Sequence, residues 1–164
     1  MQAGLRRSCL LAVVALGLVV VLAGTALAQP GSSNIGTWKL NLAKSTFAPG
    51  TAPKSGTFTN VAAGAGIKTT SDSVAADGTA IHSEYTVIYD GKDNPITGNG
   101  RNGDVAAGTR IDANTVKFIY KKGGKVTITQ TGVVSGDRKT YTITAKGTNT
   151  LGQTINTVAV YDKQ

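Results

Sequence analysis

Cysteine, histidine and aromatic side chains are scarce in this 164-residue chain, and each scarcity narrows what it can be. The single cysteine, Cys9, stands at the start of an apolar run. A lipoprotein cysteine would follow such a run at the cleavage point, so no lipid anchor is expected. Beyond residue 28 no thiol remains to form a disulfide or to bind a metal through sulfur. With His82 as the one histidine, a zinc site would need mostly carboxylate ligands, an atypical set. No serine lies in a Gly-x-Ser-x-Gly nucleophile elbow. Aromatics make up 5% of the chain and are not interleaved with basic residues, as a base-stacking platform would require, so nucleic acid is not an expected partner. A 3.6-residue apolar period is missing after residue 28, which excludes crossover helices and a parallel sheet. No cofactor is expected.

The N-terminal 28 residues carry the clearest signal. Arg6 and Arg7 form a positive start, Leu10 to Leu22 is an uncharged apolar run, and Ala26-Leu27-Ala28 gives a small-x-small cleavage pattern. This reads as a bacterial secretory signal peptide cut after Ala28, which implies a periplasmic or secreted protein. Retained, the run would be barely long enough to span a membrane. The cleavage pattern instead implies no stable transmembrane segment in the mature chain. Removal of Arg6 and Arg7 leaves 15 basic residues against 9 acidic ones, a charge of about +6. Outside the cytoplasm that charge suits an anionic envelope surface, or serves solubility alone.

The remainder fits one domain. Residues 29–35 read as a flexible lead-in and 36–164 as the folded unit. Thr and Val, stiff at χ1, suit a pleated surface, and Gly recurs where the chain must turn. Strands are expected over 37–42, 57–62, 67–74, 79–89 and 104–111, then around Val116–Lys121, Val126–Gln130, Tyr141–Ala145 and 154–161. Residues 43–56, rich in Pro and Gly, read as a long loop, and Asp90 to Pro95 as a compact turn. Eight or nine strands at this spacing predict an all-β fold, an antiparallel up-and-down barrel or a sandwich.

Both ends of the domain carry a resemblance. Gly36-Thr37-Trp38-Lys39-Leu40 resembles the opening strand of the fatty-acid-binding protein and lipocalin superfamily, whose Gly-x-Trp element closes the base of an up-and-down barrel. Val160-Tyr161-Asp162-Lys163-Gln164 resembles the closing strand of its intracellular lipid-binding branch. Tyr89-Asp90-Gly91-Lys92-Asp93 followed by Pro95-Ile96-Thr97-Gly98 resembles a turn of small exported bacterial proteins of unknown function with lipocalin-like barrels. The resemblance implies a lipocalin-like, calycin-type barrel over residues 36–164. Two departures keep fatty-acid binding from being carried over with it. Residues 43–56 are too short and too rich in Pro and Gly for the helical lid of the lipid-binding branch. Ala159 stands where that branch places a carboxylate-holding arginine.

Several residues are candidates for chemistry. His82 and Glu84 share one face of a strand and would serve as a general base in a barrel enzyme. Ile81, Tyr85 and Val87 mark the opposite face as the core, which makes His82 and Glu84 a surface pair. Asp90, Asp93 and Asn94 lack the EF-hand spacing for calcium and read as turn formers. Gly98-x-Gly100-x-x-Gly103 has the letters of a dinucleotide loop without the surrounding βαβ unit. Lys117, Lys121, Lys122 and Lys125 cluster about one hairpin, either to attract an anionic ligand or surface or to guard an exposed sheet edge. Trp38 is a candidate for stacking on a ligand at the barrel base, or plugs the core. Tyr85, Phe118, Tyr120 and Tyr141 alternate inward and line a cavity if the barrel is hollow, or form the core if it is filled.

The sequence therefore implies an exported, non-catalytic barrel that binds a small apolar or amphipathic ligand through Trp38, Tyr85, Phe118, Tyr120 and Tyr141. Its rivals are an envelope structural or interaction protein with a filled core and a basic face, and an enzyme using His82 and Glu84.

Overall fold

The structure, a computed structural model, describes residues 32–164. The expected signal peptide lies outside them. Twelve strands run in chain order: β1 (Gly36–Leu40), β2 (Thr46–Ala48), β3 (Ser55–Ala63), β4 (Gly66–Val74), β5 (Ala80–Val87), β6 (Asp90–Pro95), β7 (Thr97–Gly98), β8 (Val105–Arg110), β9 (Thr115–Lys122), β10 (Lys125–Val134), β11 (Thr140–Thr148) and β12 (Thr154–Lys163). A single 3-10 turn, Leu42–Lys44, follows β1.

All strand pairings are antiparallel. From β8 to β12 each strand lies beside its successor, and β1 is inserted between β12 and β3, so the two ends of the chain meet in one sheet. The sheet curls into a nearly closed barrel because residues 90–98 change partner along their length. β6 pairs with β8 on one side, and β7 pairs with Ser83 and Glu84 of β5 on the other.

The expectation of eight or nine strands is corrected to twelve. The nine expected strands are all present, and the additional ones are β2, β6 and β7. They fall in segments whose Pro, Gly, Asp and Asn content read as loop or turn. Their neighbours supply the pairing that their composition does not favour. β5 ends at Val87, short of the expected Tyr89, whose backbone turns into the left-handed region at φ 58°.

Inward positions follow the pleat. Val116, Phe118 and Tyr120 on β9 are buried while Lys117 between them is exposed. At one end of the barrel Trp38 is wholly buried, with Phe58 stacked at 6.3 Å and Tyr141 edge-on at 5.3 Å. The segment expected as a flexible lead-in is, from Ser32 onward, part of this floor. Ser33 and Asn34 are buried. The Asn34 carbonyl accepts the Trp38 indole N–H at 3.0 Å and the Asn60 amide at 2.9 Å, and the Asn34 amide donates to the Tyr89 hydroxyl at 2.8 Å. Arg110 lies over the Tyr89 ring at 4.6 Å and donates to the Ser32 hydroxyl at 2.8 Å. These contacts fix Tyr89 in its strained backbone conformation.

Candidate functional site

Above this floor the barrel is hollow. A cavity of about 280 Å³ lies between the aromatic layer and the open end, near the lower limit of the ~300–1,000 Å³ typical of small-molecule sites. Its two sides differ. β4 and β5 present Thr69, Ser71, Ser73 and Ser83 together with Ile81 and Tyr85, whereas β10, β11 and β12 present Ile128, Ile143, Ala145, Ile155 and Ala159 together with Gln130 and Thr157, so hydroxyls gather on the first side and isoleucines on the second. Alternation along each strand sets both rows.

Every fully buried polar side-chain atom among the described residues has a hydrogen-bond partner. Asn60 and Thr69 bond to each other at 2.8 Å. Ser71 and Ser83, a directly opposed cross-strand pair, are only half-buried and line the lumen. Tyr85 and Tyr120 share a hydrogen bond at 3.1 Å between their hydroxyls. Burial raises the phenol pKa of both, and of Tyr141 and Tyr161, with Tyr161 pushed up to about 12. These hydroxyls stay protonated at neutral pH and act as neutral donors and acceptors.

The open end is crossed by residues 99–104. The Thr150 amide donates to the Arg101 carbonyl at 2.9 Å, the Asp104 amide donates to the Lys121 carbonyl at 2.8 Å, and the Thr127 hydroxyl donates to the Asn102 carbonyl. The Gly98-x-Gly100-x-x-Gly103 spacing has its explanation here. A Cβ at Gly98 would come within 2.3 Å of the His82 carbonyl oxygen, and one at Gly103 within 2.3 Å of that of Lys121. Only glycine permits so close an approach of the loop to β5 and β9.

Among the candidate lining residues, Tyr85, Phe118, Tyr120 and Tyr141 face the cavity. Trp38 does not line it and belongs to the floor beneath. His82 and Glu84 lie on the outer wall, as their spacing predicted, and do not line the cavity. His82 contacts Asp72 at 2.7 Å, and Glu84 accepts from Thr70 at 2.9 Å and pairs with Lys68 at 3.1 Å. The Thr70 hydrogen bond and then Lys68 hold the Glu84 carboxyl below its ordinary pKa, so it is an ionised surface group.

Lys117, Lys121, Lys122 and Lys125 lie on β9 and β10, both interior strands of the sheet, so the edge-guarding reading is corrected. Lys121 pairs with Asp93 at 2.8 Å and Lys122 approaches Asp104 at 3.7 Å, which neutralises half of the cluster. Asp90 and Asp93 turn to Lys92 and Lys121 rather than to a common centre, and no group of His, Cys, Asp and Glu suited to a metal occurs among the described residues.

The serine row and Arg101 escaped the sequence reading. Ser71, Ser73 and Ser83 stand at inward positions of the period, but inward polar residues run against the pattern by which a core is recognised. Arg101 lies in a Gly- and Asn-rich stretch whose placement only the folded loop decides.

No family model matches the chain, and no curated protein matches it. Among solved structures it is similar to zebrafish ileal bile acid-binding protein complexed with cholic acid, at 13% identity and a TM-score of 0.47. The match covers 81% of this chain and 100% of that one.

Proposed function

We propose that this protein is a non-catalytic carrier that holds one small apolar or amphipathic molecule inside its barrel, outside the cytoplasm. The observation that carries this reading is the cavity of about 280 Å³, whose lining combines isoleucines and aromatics with a row of hydroxyls. Burial against the apolar wall supplies affinity, and the hydroxyls fix orientation. A lipocalin-like ancestry agrees with the Gly36-Thr37-Trp38 opening and the Tyr161 closing strand. Export agrees with the N-terminal segment ending at Ala28. A filled barrel working through its surface would lack such a cavity, and the half-neutralised lysine cluster offers a weaker basic face than its sequence suggests.

The test is native mass spectrometry of the protein purified from the periplasm, followed by organic extraction and titration with the neutral probe N-phenyl-1-naphthylamine. A reproducible adduct, or saturable one-to-one probe binding, is the expected result. A clean protein mass with no probe binding would refute the carrier reading. Absence of the chain from the periplasmic fraction would refute the exported one.

A further inference from the structure

Of all the residues lining the cavity among those described, Arg101 alone is charged. It stands at the open end on a loop whose backbone is fixed by the Thr150 amide. Asp77 pairs with it loosely, Oδ2 lying 3.8 Å away and beyond hydrogen-bond range, while Asp77 Oδ1 accepts from the Thr79 amide at 2.8 Å. The guanidinium is therefore ion-paired at its rim without a hydrogen bond to that carboxylate, and its planar fork of donors stands at the mouth of a lining that itself contains no carboxylate. The same lining contains Ser83 and its cross-strand partner Ser71. The loop comes so close here that a Cβ on Gly100 would fall within 2.9 Å of the Ser83 Cβ.

We propose, resting on the carrier reading above, that the ligand is an amphipathic anion. Its head of charged oxygens is held at the mouth by Arg101 with Ser83 and Ser71, and its apolar body points inward against the isoleucine wall. A guanidinium matches carboxylate and phosphate alike, and both lose less by leaving water when paired with such a fork than when buried alone. The position of the one lining cation sets the orientation. A head-inward pose would bury the charge above Phe58 and Tyr141, where no cation lines the wall.

The experiment is calorimetric titration of the purified protein with decanoate, decyl phosphate, decanol and decyltrimethylammonium, repeated on Arg101→Gln and Asp77→Asn. The better anion should bind at least about tenfold tighter than decanol, the scale of one charge-assisted hydrogen bond. Which anion wins separates a carboxylate from a phosphate head. Arg101→Gln should abolish that preference, bringing the anions down to the affinity of decanol. Asp77→Asn should tighten the anions alone, a gain that mere damage to the fold cannot produce. Decanol binding as tightly as both anions, or Arg101→Gln weakening all probes equally, would overturn the proposal and leave the carrier reading intact. No binding of any of the four would remove both.

Discussion

Ala145→Leu places the hollow and filled descriptions of this barrel in opposition, because they predict opposite signs. Ala145 sits on β11 between Gln130 of β10 and Thr157 of β12, with its methyl group on the cavity wall beside Ile143 and Ala159. In a cavity of about 280 Å³ the larger side chain finds room without displacing its neighbours. Each added methylene taken from water into the apolar interior contributes about 0.8 kcal/mol, so the substitution should stabilise the fold by roughly 2 kcal/mol. Against a typical total of about 5–15 kcal/mol this is readily measured. In a filled core the same change would overpack and cost about 1–3 kcal/mol. Urea denaturation, compared at equal slope, gives the sign. Titration with N-phenyl-1-naphthylamine gives the second readout, since the leucine occupies ligand space and should weaken binding. Destabilisation with probe binding unchanged would refute the reasoning.

Trp38→Ala should cost about 3–5 kcal/mol, the range for emptying a fully buried aromatic site, because the indole is wholly buried and holds the Asn34 carbonyl. A small loss of stability coupled to loss of probe binding would instead put Trp38 in the ligand site. His82→Ala should change neither Tm nor probe affinity, since His82 and its Asp72 partner are exposed on the outer wall. A large fall in affinity would bring the His82 and Glu84 chemistry back into consideration. Alkaline pH should unfold the barrel. Burial raises the phenol pKa of Tyr85, Tyr89, Tyr120, Tyr141 and Tyr161, so the folded state holds these protons more tightly than the unfolded state does. Their contribution is complete below about pH 10, the unfolded value for tyrosine, and is lost as pH rises through the folded values, near 12 for Tyr161. Circular dichroism and phenolate absorbance followed together should change in one transition. Phenolate signal from all five tyrosines near pH 10, with the fold intact, would contradict their burial.

The period of two in Ile81–Val87, Val116–Tyr120 and Tyr141–Ala145 by itself determined which faces turn inward, because alternate side chains on a pleated strand must point to opposite sides. It also put His82 and Glu84 outside. The absence of a helical period after residue 28 left an antiparallel β fold as the remaining architecture. The sequence did not contain the count of twelve strands. Backbone hydrogen bonds with neighbours, rather than side-chain pattern, make strands of Thr46–Ala48, Asp90–Pro95 and Thr97–Gly98. It also concealed the floor. Ser33 and Asn34 read as part of a flexible lead-in; Asn34 is buried where Trp38, Asn60 and Tyr89 converge on it, and Ser33 where its hydroxyl donates to the Ala113 carbonyl. Hollowness, too, belongs to tertiary structure. The same inward tyrosines and isoleucines would serve a filled core, and barrel circumference decides whether they meet. Arg101 reaches the cavity because Gly98 and Gly103 let its loop press against β5 and β9. That proximity is set by long-range contact, which no local window of sequence records.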